Sequence, residues 1–560
     1  MPSVRFFPQG VVAAVPPGTA LLEAAGAAGL SMETPCGGNG TCGKCLVRVL
    51  TGPPPVAQDC AKPVPPLLIL ACQSIVGEDD LDLEIQAVGE NSLQIHDSSL
   101  DVSFRHAPRL SKRFLPDLGQ TEVLAGGKTL CLEAGNSTDS LFGLAVDVGT
   151  TTLAVALVDL RNGEETASAS TLNRQTRHAH DVLGRVSFAA EPGGLAILQQ
   201  DLLADLNALT AEVCGQAGIS GADVYEAVIC GNTCMQHLAA GIDPANLGRR
   251  PYHPAFRGHA YRKAAEIGLR IASGGEIYFP AVLSGHVGAD IVAGIVATGL
   301  LRRRRPTLFI DIGTNGEMVL AKEGRAIAAS TAAGPAFEGM NISCGMRAAA
   351  GAIEAYSLKG DGRPALKTIA AAPPRGLCGS GLIDAVAAFV IHNGIAPSGR
   401  FAPDGGAVAH LLERANGKSR LRLAPGVFLT QKDIRQVQLA KAAIRAGIDL
   451  LLRQARILPE QVDGVLIAGS FGYHLKERSL LDLGLLPEAF AGKTEFVGNT
   501  SKAGARIFLL DASSRDWAAS LAEKASCLDL AELPEFQDVF TASMAFPRAH
   551  APAPEAAPAA

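Results

Sequence analysis

No part of this chain runs apolar for the length that a membrane-spanning helix requires. The N-terminus also lacks the basic-then-apolar pattern of a secretory signal. These two absences lead us to expect a cytoplasmic protein with no membrane partner. Basic residues are not in excess either: 49 Lys and Arg stand against 55 Asp and Glu, for a net charge of −6. That balance gives no electrostatic footprint for nucleic acid, and the run Arg302 to Arg305 is short enough to read as a helix C-terminal cap. Paired CxxC knuckles, the usual frame of a structural zinc site, are missing. The chain does hold 12 cysteines, which in a cytosolic protein argue for a metal or redox site and not for a disulfide framework. At 560 residues it is too long for one core, and 48% apolar residues with abundant Gly and Ala suit packed α/β layers.

A strand-and-glycine signature occurs twice. The first copy, LAVDVGTTTLAVALVD, covers residues 144–159, and the second, TLFIDIGTNGEMVL, covers 307–320. Each is an apolar run, an Asp, an apolar residue, a Gly-Thr turn and a second apolar run, which predicts a buried β-hairpin with a polar turn. Such turns cradle phosphate, because amide dipoles and hydroxyls converge on one anion. Asp147 and Asp311, closing the first strand of each copy, are then placed to orient a metal or a water beside that anion. One D-x-G-T could be an ordinary tight hairpin; two in the same order point to a nucleotide.

The pair resembles the phosphate loops of the actin-like ATPase superfamily, and other stretches resemble its remaining parts. Residues 288–299 look like its first connecting helix, residues 464–472 like its adenosine motif, and residues 498–505 like the start of its second connecting helix. The resemblance implies ATP and Mg²⁺ as ligands. It assigns Asp147 and Asp311 as catalytic residues, and the phosphates to Gly149, Thr150, Thr151, Thr152, Gly313, Thr314, Asn315 and Gly316. Gly379, Ser380 and Gly381 are expected to line the cleft, with Gly469, Ser470 and Gly472 bordering the adenosine. Glycine suits that last position because a Cβ would collide with the nucleoside.

The first 90 residues carry nine acids and four Lys or Arg, so they are markedly acidic. Strands at 3–7 and 11–15, a helix at about 19–29, and strands at 46–50 and 81–85 are expected there. Between them, Cys36, Cys42 and Cys45 share a glycine-rich loop with C-x5-C-x2-C spacing. Three thiolates on such a loop can wrap an iron–sulfur cluster, since its amides hydrogen-bond the sulfurs. Zinc is the other reading of four cysteines, and Cys60 and Cys72 both stand as candidates for the fourth. The spacing resembles [2Fe–2S] ferredoxins of the adrenodoxin type on a β-grasp domain, a resemblance that implies Cys72 as the fourth ligand.

A [2Fe–2S] domain ahead of an actin-like ATPase closely resembles the reductive activators of corrinoid proteins, through the cysteine loop, both phosphate loops and the stretches GNTCM, GPAFEG, GLCGSG, AGSFG and VGNTSKAGA. The implied fold is a multidomain α/β chain. It has an N-terminal β-grasp [2Fe–2S] ferredoxin domain (1–88), a linker with a reduced middle domain (89–140), and a duplicated ribonuclease-H-like, actin-like ATPase domain of two subdomains (141–545). Residues 546–560, rich in Pro and Ala, are expected to be a disordered tail. The implied activity is ATP-dependent return of an inactive Co(II) corrinoid to Co(I). The implied partners are the corrinoid protein of a methyltransferase system, an upstream electron donor and, as a homodimer, a second copy of the chain. An activator of radical dehydratases, and a small-molecule kinase with an appended ferredoxin, remain the alternatives.

Overall fold

Long apolar runs bounded by glycine turns make most of the strands of this fold, seen in a computed structural model that describes residues 1–30, 32, 45–52, 56–57, 68–85, 105–402, 406–415, 417–469 and 475–548. The chain forms two compact units, one of residues 1–91 with 177–180 and one of the remainder.

In the first unit the strands run in the order Val11–Ala14, Ser3–Phe7, Leu81–Ile85, Leu46–Thr51, Leu68–Leu70. Ser3–Phe7 and Leu81–Ile85 are parallel while the outer pairs are antiparallel, and the helix Leu21–Ala27 buries Leu21, Ala24 and Ala25 on this sheet. This is a β-grasp arrangement. Its core, around Val4, Phe6, Val47 and Leu83, also takes in Cys45.

The second unit contains the same sheet twice. In one half the order is Glu165–Leu172, Thr152–Asp159, Phe142–Val148, Val224–Gly231, Glu276–Phe279, Ala260–Lys263. In the other it is Arg325–Thr331, Gly316–Lys322, Thr307–Ile312, Gly464–Ala468, Thr494–Gly498, with Ser526–Leu528 added beside Arg325–Thr331. The first three strands of each half form an antiparallel meander and the next two join it in parallel. That repeat is the duplicated ribonuclease-H-like fold. The central strands, buried on both faces, read as near-continuous apolar runs. In Phe142–Val148 the one residue that keeps some exposure is Asp147, and in Thr307–Ile312 it is Asp311, both partly buried at the strand ends.

Two helices of small residues, Ala289–Ala297 and Thr500–Leu510, pack against each other and belong to a core that draws on both sheets. Their approach depends on glycine. A Cβ on Gly504 would lie 2.6 Å from Ala293 Cα, and one on Gly294 2.7 Å from Phe309 Cζ.

Two expectations are corrected. The stretch 89–140 was expected as a linker with a little structure and a strand around 121–124; that strand is present as Gln120–Ala125, but it belongs to an antiparallel sheet with Leu110–Leu115 and Lys128–Ala134. Its alternation was masked by polar residues on the outer face, while Leu110, Val123 and Ala125 pack into the core of the second unit. Phe546, the first residue of the expected tail, is buried and donates its N–H to the Pro397 carbonyl; residues 549–560 lie outside the described residues. Among the described residues no helix is long and apolar enough to cross a membrane.

Candidate nucleotide and cluster sites

Each signature forms a hairpin whose glycine amide closes its own turn. Gly149 donates to the Thr152 carbonyl at 3.0 Å and Gly313 to the Asn315 carbonyl at 2.9 Å. The phosphate-facing donors must therefore come from the next residues, and the first loop is backed so that they can. Its three carbonyls are all taken from behind: Gly149 accepts from Asn173 Nδ2 at 2.9 Å, Thr151 from the Asn173 N–H at 2.9 Å, and Thr150 from Arg185 Nη2. Carbonyl dipoles drawn backward leave the opposite ends of the peptide dipoles toward the cleft. Arg185 is fully buried and also donates to Gln175 Oε1 at 2.9 Å. Loss of water lowers its pKa to about 10, still far above neutrality, so it remains a cation beneath the loop. Asn173, Gln175 and Arg185 carry no phosphate-loop pattern in the sequence; their side chains being polar inside an otherwise apolar unit was the available signal.

The cleft, with a cavity volume of about 230 Å³, is lined by residues of both loops, including Asp147, Gly149 to Thr152, Asp311 and Gly313 to Asn315. Four further carboxylates, Asp290, Glu317, Glu338 and Glu354, line it as well. Burial raises the pKa of Asp311 to about 8, with Asp290 and Asp147 adding like-charge repulsion. Asp290 and Glu317 are raised by burial and then by neighbouring acids, among them Asp147 for Asp290 and Asp290 for Glu317. Asp147 is also raised by burial, though Asn499 Nδ2 donates to its Oδ2 at 2.9 Å. Mutually destabilised carboxylates of this kind call for a cation. Mg²⁺ keeps several waters and takes one or two carboxylates together with substrate phosphates, and the carboxylates that line this cleft are of that kind.

The other expected residues divide. Gly379 and Ser380 line the cleft at the start of the helix Gly379–Ile391, where Ser380 Oγ donates to the Glu354 carbonyl at 2.8 Å. Gly469, with φ +125°, lines it too, and a Cβ there would sit 2.5 Å from the Ile312 carbonyl. Two glycines expected in the site are off the cleft wall and serve packing. A Cβ on Gly316 would meet Ile444 Cγ1 at 2.9 Å, and one on Gly381 would run into the Ile353 carbonyl. Ser470 and Gly472 lie outside the described residues. Asn499 was missed as a site residue: it caps the helix Thr500–Leu510 through Lys502 N at 2.9 Å while holding Asp147. Ser501, two residues further on, lines the cleft beside Asp147, and its hydroxyl, as a hydrogen-bond donor, pulls the pKa of that carboxyl down against burial.

In the first unit Cys45 and Cys72 bring their sulfurs to 3.2 Å. That is well beyond a disulfide of ~2.05 Å, and somewhat short of the ~3.7 Å between two thiolates on one tetrahedral metal with bonds of ~2.3 Å. The donor set fits a thiolate-bound cluster. Cys36, Cys42 and the competing Cys60 lie outside the described residues.

Three family models match successive parts of the chain. Residues 5–77 match the family described as 2Fe-2S iron-sulfur cluster binding domain, residues 142–303 the RACo middle region, and residues 305–557 the C-terminal domain of RACo, the ASKHA domain. The cluster domain carries a [2Fe–2S] group and the ASKHA domain uses ATP with Mg²⁺. The middle-region match, 142–303, spans the first of the two repeated halves. Corrinoid activation enzyme RamQ of Eubacterium limosum is 30% identical over 449 residues, 77% of this chain and 75% of that protein. The [Co(II) methylated amine-specific corrinoid protein] reductase of Methanosarcina barkeri is 28% identical over 425 residues, 69% and 73% of the two chains. A solved structure, the reductive activator for corrinoid,iron-sulfur protein, is 30% identical, with a TM-score of 0.74 over 98% of this chain and 99% of its own.

Proposed function

This chain belongs to the RACo family of reductive activators of corrinoid proteins, and from that premise we propose that it uses ATP to return an inactive Co(II) corrinoid protein to Co(I). The observation that carries the reading is that one chain holds both the two-loop nucleotide cleft and the Cys45–Cys72 thiol pair. In this scheme residues 1–88 form the cluster domain and residues 141–545 the nucleotide-handling domain. Cys36, Cys42, Cys45 and Cys72 hold the [2Fe–2S] group, which when bound supplies one-electron transfer.

The work of the nucleotide domain falls to its own side chains. Thr150 to Thr152 and Gly313 to Asn315 bind the phosphates through hydroxyls and the amides that the glycine turns leave free. Asp147 and Asp311, with Asp290 and Glu317 beside them, hold Mg²⁺ and orient the attacking water. Gly469, Ser470 and Gly472 border the adenosine. A donor of the ferredoxin type stands at roughly −400 mV, and for one electron each ~59 mV of deficit is a tenfold loss in equilibrium. Conformational work from ATP, acting on the docked corrinoid protein, offsets that deficit. A second copy of the chain is the proposed oligomeric partner.

The test is reduction of a Co(II) corrinoid protein under anaerobic conditions, followed by the Co(I) absorption band. Reduction is expected only with ATP, Mg²⁺ and an electron source together, and Cys72→Ala should abolish it while sparing ATP turnover. Equal reduction without ATP would sink the coupling.

A further inference from the structure

Two hydroxyls from opposite halves of the nucleotide domain converge on a single carboxylate. Thr151 Oγ1 donates to Glu338 Oε2 at 2.6 Å, and Thr314 Oγ1 donates to Glu338 Oε1 at 2.6 Å. One Thr stands in each phosphate loop, and Glu338 lines the same cleft. Both distances are those of short, charge-assisted bonds. The place where the loops meet is thus an anion position of stated chemistry: two hydroxyl donors, with the buried Arg185 guanidinium held on the Thr150 carbonyl behind the first loop.

Glu338 is delivered to this position by a fixed backbone. Gly334 donates to the Thr314 carbonyl at 2.9 Å, which ties the start of the Pro335–Glu338 turn to the second loop. Phe337 is completely buried and anchors the turn in the core. Gly339 leaves with φ +76°, and a Cβ there would crowd the Met346 carbonyl at 2.7 Å. The side chain of Glu338 is half-buried, and both of its carboxylate oxygens are held by the two threonines.

Two anions cannot share the position, because like charges a few ångströms apart each disfavour the charged state of the other. A terminal phosphate reaching both loops needs the same hydroxyls. We propose that Glu338 is a specificity-determining residue of the nucleotide site: its carboxylate competes with the terminal phosphate for Thr151 and Thr314, so a nucleoside triphosphate links the two loops only by displacing it, whereas a diphosphate leaves it in place. The link between the halves then passes from protein to nucleotide. This inference rests on the ATP-using reading given above and adds to it the group that the triphosphate must replace.

The test is binding of AMPPNP and of ADP, each with Mg²⁺, to the full chain by calorimetry, comparing the unaltered protein with Glu338→Gln and Glu338→Ala. Removing the competing charge should tighten AMPPNP by about tenfold and move ADP by less than about twofold. Glu338→Gln keeps the size of the side chain and decides the matter if the Ala variant does not fold. AMPPNP binding that is unchanged, weakened, or shifted in step with ADP overturns the proposal. Failure of the unaltered chain to bind AMPPNP at all overturns the ATP reading and this inference with it; intact binding with no shift in the variants overturns only this inference.

Discussion

The pH behaviour of the cleft is decided at single residues. Asp311 has a folded pKa of about 8, raised by burial and then by Asp290 and Asp147. For an acid shifted upward, the folded chain binds more protons than the unfolded one across the intervening range. Its contribution to stability is complete below the ordinary carboxylate range and is lost as pH rises through about 8 at Asp311. A divalent cation acts in the opposite sense, since it takes the deprotonated form. Mg²⁺ should therefore raise the Tm of the intact chain more at about pH 9 than at about pH 6. Asp311→Asn should shrink that difference and lower ATP turnover on the order of a hundredfold, about 2.7 kcal/mol of barrier. Equal stabilisation by Mg²⁺ at both pH values would contradict a carboxylate-bound cation.

Between elements, the closest approach that matters is that of the two small-residue helices, because they link the sheets that carry the loops. The Gly504 position faces the Ala293 backbone with no room for a Cβ, and backbone cannot rotate aside as a side chain can. Gly504→Ala should destabilise the protein by about 3 kcal/mol in a denaturant titration. A useful contrast is Gly215, an exposed position in the helix Gly194–Ala217 where a Cβ would meet nothing within 4 Å. There Gly→Ala should stabilise by about 0.5–1 kcal/mol, through helix propensity alone. Similar effects at the two positions would mean that the helices are not in contact as described.

For the whole molecule, the question is where the chain can be divided. Ala107 donates to the Leu510 carbonyl at 2.7 Å and accepts from Ala512 at 3.1 Å, and Leu110, Val123 and Ala125 are buried in the core of the second unit. A fragment starting at about residue 100 keeps these contacts, and one starting at 141 loses them. Two buried aliphatic side chains and an Ala are worth on the order of 5 kcal/mol. The longer fragment should fold and hydrolyse ATP, and the shorter should melt well below it or aggregate. Neither should reduce a corrinoid protein, since both lack all four proposed cluster cysteines. A fragment from 141 as stable as the longer one would show the 110–134 sheet to be an appendage.

What was legible in the sequence was local. The Asp147 and Asp311 hairpins announced themselves because an apolar run, an Asp and a Gly-Thr turn specify strand and turn within a dozen residues. The small-residue helices did so too, because Gly and Ala are what a close crossing requires. The C-x5-C-x2-C loop could be read for the same reason, although Cys36 and Cys42 fall outside the described residues. Tertiary structure alone decided which side chains meet across the cleft. Asn499 reaches Asp147 from 352 positions away, and Glu338 reaches Thr151 from 187. No periodicity spans such distances; Glu338 sits in the GPAFEG stretch, but nothing local says which side chains it meets, and nothing local distinguishes Arg185 from an ordinary charged residue. It also separated glycines that look alike in sequence by their place: none of Gly469, Gly316 and Gly381 has room for a Cβ, but Gly469 lines the cleft while Gly316 and Gly381 lie off its wall. Strand and turn follow from the energetics of neighbouring residues. The site does not, because its members come together only when the two halves bury their sheets around a common pair of helices.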